Sequence, residues 1–196
     1  MRVKGLGDAN IIRVATLLLA LISVIVGMLG CSREAPMLPK EGEMTLSLSS
    51  SAFEEGEKIP PKYTCKGQSI SPPLTWGEPP QETRGFVLIM DDPDAPGGVF
   101  THWVLFNLPT GSRELLEAIP AQKQLPNGGL QGKNSFGKIG YGGPCPPPGH
   151  PHHYRFTLYA LDKPLDLKAG TPKKQVIDGM EGHVLAEGQL IGTYQR

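Results

Sequence analysis

The sequence predicts a mainly β domain of the sandwich type. Three observations predict it: short apolar runs with strand patterns, turn-forming proline and glycine residues between them, and only two segments of helical character. The 196-residue chain has room for one such domain with a full core once its N-terminal segment is set aside.

The N-terminal segment has the pattern of an export signal. Basic residues precede an apolar run over 14–29, and the run ends at Gly30-Cys31, which is similar to the cleavage and acylation site of a bacterial lipoprotein. An uncleaved anchor helix is the alternative, although the run is shorter than the ~20 residues that cross a bilayer comfortably. Both interpretations place the domain on a membrane in the cell envelope, on the periplasmic or extracellular face. We predict a signal peptide over 1–30, a tether over 31–43 and one domain over 44–196.

Five segments are predicted to be strands. Residues 44–49 alternate apolar and polar side chains, which is typical of a strand with one buried face. Residues 86–90 and 104–106 are continuous apolar runs, typical of strands buried on both faces. Residues 154–161 are rich in β-branched and aromatic side chains, and 188–194 are predicted to form the closing strand.

Two helices are predicted. The first is short and covers 112–118. The second begins with Thr171 as N-cap and Pro172 at the first helical position, and it ends at Gly188. The apolar face of this second helix consists of Val176, Ile177, Met180, Val184 and Leu185.

The charge balance argues against nucleic acid as a partner. Cleavage would remove three basic residues and one acidic residue from the 19 of each, which leaves a net charge of −2. The sequence has no basic stripe and no array of basic and aromatic residues.

The cysteine count favours a disulfide. With Cys31 acylated, Cys65 and Cys145 remain, and an even count in an exported domain favours their pairing. A zinc site is the competitor, but no C-x-x-C pair supports it. A pair of free thiols is the other alternative.

Strand alternation places polar side chains at the ends of three predicted strands. Because side chains alternate faces with period two, His152 and Tyr154 share one face. The same counting puts His102 on the face of Val104, and it puts Asp92 in line with alternate apolar residues of its own strand. Clustering of these ends would form a small polar pocket at the edge of an apolar core.

The proline-rich segment 140–151 cannot be helical, since proline lacks a backbone N–H and glycine has a high entropic cost in a helix. We predict that it forms a rigid wall around a small ligand, with an ordinary surface loop as the alternative.

These motifs together resemble the phosphatidylethanolamine-binding protein family, and in particular its bacterial Raf-kinase-inhibitor-like branch. The matching motifs are DPDAP at 92–96, HWVLFN at 102–107, GGPCPP at 142–147 and HHY at 152–154. The resemblance covers about 44–194 and implies a β-sandwich with a short C-terminal helix.

The resemblance also implies a shallow anion pocket that accepts phosphate or a phosphorylated head group. We expect no metal and no cofactor. The residues that match the family's pocket positions are Asp92, His102, Gly143, Pro144, His152 and Tyr154. His153 stands where the family usually has arginine, which puts in doubt the ion pair to Asp94 that the arginine suggests.

The chemistry of these residues is consistent with an anion site. Imidazole N–H groups donate to phosphate oxygens, and the Tyr154 hydroxyl adds a neutral donor. Asp92 would repel a dianion, but it can orient and charge a histidine or accept a proton from a monoanionic phosphate. Purely structural hydrogen bonding among Asp92, His102 and His152 at the core edge is the alternative.

We expect a membrane-anchored, non-catalytic binding protein for a phosphate-bearing small molecule or lipid head group. A protein-interaction or inhibitor module that binds an envelope protein is the first alternative. A metal site at His150, His152 and His153 is the second, although strand alternation turns the last two to opposite faces. A hydrolase has less support, because no Gly-x-Ser-x-Gly elbow is present and Cys145 lies among prolines.

Overall fold

The computed structural model describes residues 44–196, which form two β-sheets and one α-helix. The strands are β1 (Met44–Thr45), β2 (Leu48–Ser49), β3 (Leu74–Trp76), β4 (Gly85–Asp92), β5 (Phe100–Leu108), β6 (Glu114–Leu115), β7 (Leu130–Gln131), β8 (His152–Leu161) and β9 (Val184–Tyr194). Helix α1 spans Lys173–Met180, and a 3₁₀ turn spans Pro61–Tyr63. The predicted signal peptide, Cys31 and the tether lie outside the described residues. Within 44–196, no helix is both long and apolar enough to cross a membrane.

The two sheets confirm the predicted mainly β fold. The large sheet has the strand order β1-β9-β8-β4-β5-β7, and the small sheet has the order β2-β3-β6. Neighbouring strands are antiparallel except for the edge pair β1 and β9, which is parallel. The long strands β4, β5, β8 and β9 therefore carry the large sheet, and short strands close its edges.

The core has two layers because the large sheet is covered on both faces. One apolar cluster lies between the sheets and includes Phe86, Leu88 and Met90 of β4. The second cluster lies under helix α1, where Val87 and Ile89 of β4 pack with apolar residues of the helix. Consecutive residues of β4 are thus buried on opposite faces, which explains its continuous apolar run.

The predicted first strand, 44–49, is divided between the two sheets. β1 pairs with β9, whereas β2 pairs with β3. Between them the Leu46 N–H donates to the Glu187 carbonyl (2.8 Å) and the Ser47 carbonyl accepts from the Gly77 N–H (3.1 Å). The chain therefore crosses from one sheet to the other at this point.

The predicted helix over 112–118 is wrong. Residues Glu114–Leu115 form β6, in which Leu115 pairs with Leu74 of β3. Leu115 is buried while Leu116 is 66 % exposed, an alternation that suits a strand. The pairing of β6 with β3 and the burial of Leu115 outweigh the helical propensity of this segment.

The C-terminal helix is present but shorter than predicted. It starts after Pro172, whose side chain makes no capping bond, and the predicted N-cap Thr171 instead donates its hydroxyl to the Lys168 carbonyl (2.7 Å). The helix ends at Met180, and Gly182 takes the left-handed backbone (φ 76°) that favours glycine.

Two residues of the predicted helical face belong to the last strand. Val184 and Leu185 lie in β9, and Val184 pairs with Leu161 of β8. Of the remaining face, Val176 and Met180 are buried, as expected for the apolar stripe of a short helix.

Replacement of Gly188 by alanine is expected to destabilise the fold. A Cβ at this position would lie 2.4 Å from the Leu46 carbonyl oxygen, a backbone atom that cannot easily move. We expect Gly188→Ala to lower the free energy of unfolding by about 1–3 kcal/mol, the usual cost of an overpacked site. Urea denaturation followed by circular dichroism measures this difference.

Gly111→Ala is the matched control, since a Cβ there would meet no atom within 4 Å. We expect the control to change stability by less than about 1 kcal/mol. Equal stabilities of the two variants would contradict the packing of β9 against the β1–β2 crossing.

Candidate ligand pocket

A small pocket of about 210 Å³ lies where the ends of β4, β5 and β8 meet the proline-rich segment. Its lining residues are Asp92, Ala95, Pro96, Phe100, His102, Phe136, Cys145, Pro146, Pro147, His152 and Tyr154. Polar groups from three strand ends therefore converge in a mainly apolar enclosure, which is the usual composition of a small-molecule site.

Four of the six residues predicted for ligand binding line this pocket: Asp92, His102, His152 and Tyr154. The other two, Gly143 and Pro144, lie beside it, and Cys145, Pro146 and Pro147 form the wall instead.

Gly143 and Pro144 hold the wall rather than line it. The Gly143 N–H donates to the Ser69 hydroxyl (3.1 Å), and the Pro144 carbonyl accepts from the Cys65 N–H (3.1 Å). A Cβ on Gly143 would lie 2.7 Å from the Tyr63 carbonyl oxygen, so glycine permits this close approach of two loops.

His102 reaches the pocket because β5 contains a bulge. Met90 pairs with Trp103, and the next residue, Asp91, pairs with Thr101, so His102 is an extra residue on its strand. Simple alternation puts His102 on the face of Val104, which packs under helix α1, and that expectation is wrong. The bulge brings its imidazole to the pocket side.

His152 and Asp92 form a buried pair. His152 Nδ1 donates to Asp92 Oδ2 (2.8 Å), and the two side chains are only 2 % and 5 % exposed. The second carboxylate oxygen, Oδ1, accepts from the Asp94 N–H (2.9 Å). Both oxygens of Asp92 are thus engaged, while His152 Nε2 is left for a ligand or a proton.

His102 is held by the loop between β7 and β8. Its Nδ1 donates to the Gly142 carbonyl (2.6 Å), and its own carbonyl accepts from the Gly142 N–H (2.9 Å). Burial lowers the pKa of the imidazole, and the bond to Gly142 and the charge of Asp92 only partly oppose this. His102 is therefore neutral near pH 7, with Nε2 as an acceptor.

The Tyr154 hydroxyl is a buried polar group of the pocket without a partner in the described range. The side chain is fully buried, and the hydroxyl makes no hydrogen bond to any residue in the described range. Burial raises the pKa of this phenol, and the nearby Asp92 carboxylate adds to the shift without reaching hydrogen-bonding geometry. The hydroxyl remains protonated and can donate to a ligand.

His153 preserves the contact to Asp94 that its substitution for arginine put in doubt. Asp94 Oδ2 accepts both the backbone N–H (2.8 Å) and the Nδ1 hydrogen (2.7 Å) of His153. These two bonds, the backbone one first, lower the pKa of Asp94. The pair lies outside the pocket, and it fixes the start of β8.

The predicted disulfide is confirmed: Cys65 and Cys145 are bonded, with their Cα atoms 5.4 Å apart. The bond joins the loop after the 3₁₀ turn to the pocket wall across 80 residues of sequence. Closing a loop of that length can contribute ~4 kcal/mol to stability in the chain-entropy description.

Two aromatic residues of the pocket were not predicted. The Phe100 ring lies 5.2 Å from His102 and 4.8 Å from Phe136, measured between ring centroids. Phe100 pairs with Asp92, so its place in the pocket follows from the pairing of β4 with β5 and not from alternation along β5, which the bulge interrupts. Phe136 lies in a loop distant in sequence, and no local sequence pattern predicts its place in the pocket.

The histidine cluster of the proposed metal alternative is not assembled. His150 stacks on His152, with centroids 5.2 Å apart, whereas His153 turns to Asp94. Within 44–196, no three His, Cys, Asp or Glu side chains are grouped so that they could share a metal ion.

The sequence profile of the family described as phosphatidylethanolamine-binding protein matches residues 49–195. The chain belongs to the phosphatidylethanolamine-binding protein family. The predicted resemblance is therefore confirmed, and the match covers nearly all of the described residues.

Individual relatives agree with this assignment to the phosphatidylethanolamine-binding protein family. A Methanothermobacter thermautotrophicus protein named UPF0098 protein is 52 % identical over 77 % of this chain and 99 % of its own length. A Mycobacterium tuberculosis protein with the provisional name lipoprotein LppC is 35 % identical over 89 % of this chain and 92 % of its own length.

Solved structures share the fold. E. coli YbcL, described as a member of the mammalian PEBP family, gives a TM-score of 0.72 at 30 % identity over 78 % of this chain and 99 % of its own. The structure of CT736 from Chlamydia trachomatis, described as a homologue of phosphatidylethanolamine-binding protein (PEBP), gives a TM-score of 0.71 at 40 % identity. The match covers 78 % of this chain and 98 % of that chain. The phosphatidylethanolamine-binding protein fold of residues 44–196 is thus supported by structure as well as by sequence.

Removal of the Tyr154 hydroxyl is expected to leave the ligand-free protein at least as stable as the wild type. An unpaired buried hydroxyl costs about 1–3 kcal/mol, and Tyr154→Phe removes that cost without changing the ring. Urea denaturation in a phosphate-free buffer tests this expectation.

Tyr141→Phe is the matched control, because the Tyr141 hydroxyl donates to the Tyr63 carbonyl (2.8 Å). We expect the control to lose about 1 kcal/mol, the usual value of a paired hydroxyl. A comparable loss in Tyr154→Phe would show that its hydroxyl has a partner within the protein.

Proposed function

We propose that this protein is exported, is anchored to a membrane through acylated Cys31, and binds a phosphate-bearing small molecule or lipid head group in the pocket without catalysis. The observation that carries the proposal is the buried, unpartnered hydroxyl of Tyr154 beside the oriented imidazole of His152. A buried donor of this kind is costly in the ligand-free protein, so a ligand that accepts its hydrogen bond is favoured.

The ionic character of the pocket favours a monoanion over a dianion. Among its lining residues, all of which lie in the described range, none is lysine or arginine, and Asp92 contributes a negative charge. A singly protonated phosphate can accept from the Tyr154 hydroxyl and donate its own hydrogen to the neutral His102 Nε2. The His152 imidazole, held at Nδ1 by Asp92, turns Nε2 toward the same ligand.

The rigidity of the wall favours binding. Pro146 and Pro147 have restricted backbones, and the disulfide ties the wall to a second loop. A preformed site loses less conformational entropy when the ligand binds.

The absence of a catalytic role is also a proposal, and two features support it. Both oxygens of the Asp92 carboxylate accept hydrogen bonds from within the protein, which gives this group the role of holding His152 and the backbone at Asp94. Cys145, the thiol that could have served as nucleophile, is bonded to Cys65.

Export is supported by the signal pattern before Cys31 and by the disulfide, a bond typical of oxidising compartments. The relative from Mycobacterium tuberculosis that carries a lipoprotein name is consistent with the same anchoring.

Calorimetric titration of residues 32–196 with phosphate and with phosphoethanolamine tests the binding proposal. We expect saturable binding that weakens about tenfold or more in His152→Ala and in Asp92→Asn, because hydrogen bonds to charged groups contribute about 1.5–3 kcal/mol. Circular dichroism of each variant checks that the fold is retained.

His183→Ala is the matched control. His183 also bonds an aspartate, with Nδ1 2.9 Å from Asp162 Oδ1, but this pair lies away from the pocket. We expect the His183→Ala variant to bind phosphate with the affinity of the wild type. The proposal is contradicted if no binding occurs at millimolar ligand, or if His152→Ala and Asp92→Asn bind with the affinity of the wild type. Either result points to an envelope protein as the partner.

A further inference from the structure

The disulfide is part of the pocket wall. Cys145 lines the pocket, and Pro146 and Pro147 continue the same wall from it. The bond to Cys65 therefore connects the wall directly to the loop that follows the 3₁₀ turn.

The wall has few other attachments to the fold. Residues 145–151 include four prolines, which lack an N–H, and in the described structure no residue of this segment donates a backbone N–H to another backbone group. The Gln195 side chain reaches the Gly149 carbonyl, and Pro146 is buried. His150 stacks on His152, and the Cys65 N–H donates to the Pro144 carbonyl just before the segment. The disulfide is the covalent bond that ties residues 145–151 to the loop of Cys65.

The disulfide joins two residues that lie at the surface. Cys65 and Cys145 are both exposed residues, in contrast to the buried histidines of the pocket. The Arg196 guanidinium lies near the bond, with Nη1 3.8 Å from Cys145 Sγ. A neighbouring cation stabilises a thiolate, so Cys145 is the better leaving group when a thiol attacks Cys65.

We propose that the Cys65–Cys145 bond is a thiol-sensitive switch of the pocket: the oxidised protein holds its wall in the binding arrangement, and reduction releases the wall and weakens binding. The inference rests on the proposed function, because it concerns the affinity of the same pocket for phosphate.

The reaction is thiol–disulfide exchange with a dithiol reductant. One thiolate of the reductant attacks Cys65 Sγ, the bond between the two cysteine sulfurs breaks, and Cys145 leaves as a thiolate beside Arg196. The second thiolate then attacks the mixed disulfide and releases Cys65. The reductant is oxidised to its cyclic disulfide, the protein gains two electrons, and each cysteine takes up a proton.

The size of the effect follows from the population of the intact wall. If the reduced protein keeps the wall in the binding arrangement a tenth of the time, its apparent Kd rises about tenfold. By linkage, bound phosphate must oppose reduction by the same factor.

Calorimetric titration of inorganic phosphate into the oxidised protein, the dithiothreitol-reduced protein and Cys65→Ser tests the switch. Cys65→Ser breaks the bond but leaves the Cys145 side chain in the wall. We expect a Kd about tenfold higher or more in both forms that lack the bond. Circular dichroism establishes that both retain the fold.

Equal affinities of the oxidised and reduced proteins would overturn the switch while leaving the proposed function intact. Failure of the oxidised protein to bind phosphate would overturn the proposed function and, with it, the switch.

Hydrogen exchange provides a second readout that needs no ligand. We expect backbone amides in 141–154 to exchange faster after reduction, while amides in the centre of β4 keep their protection. Unchanged exchange over 141–154, or loss of the disulfide only together with the whole fold, also overturns the inference.

Discussion

The buried hydrogen bond between His152 and Asp92 is the interaction on which the pocket depends. It joins the start of β8 to the end of β4, two neighbouring strands of the large sheet. Removal of one partner from a buried pair leaves the other polar group unsatisfied at a cost of about 3–5 kcal/mol when that group is charged. Because Nδ1 of the imidazole is committed to Asp92, only Nε2 is available to a ligand.

The surrounding hydrogen bonds leave few polar groups free. Asp94 and His152 occupy both oxygens of Asp92, and Gly142 occupies Nδ1 of His102. What remains is one acceptor or donor on each imidazole and the hydroxyl of Tyr154. A small set of uncommitted groups in an apolar enclosure is the usual composition of a site for a small polar ligand.

The long strands, the mainly β fold class and the faces of Asp92, His152 and Tyr154 could be predicted from local pattern, because alternation fixes which side chains of one strand share a face. The face of His102 could not be predicted in this way, since the bulge at His102 depends on the pairing of β4 with β5. The helix predicted over 112–118 was wrong for a similar reason, because pairing with β3 outweighs the helical propensity of these residues. Phe136 and the supporting role of Gly143 arise from contacts between distant loops, which no local pattern records.

The most direct test of the account is nitrogen NMR of the histidine side chains during titration with phosphoethanolamine. The account predicts that His152 Nε2 changes its chemical shift in step with saturation, while Nδ1 keeps the signature of its bond to Asp92. Saturable binding with no change at His152 Nε2 would contradict the account, because the ligand would then bind outside the pocket.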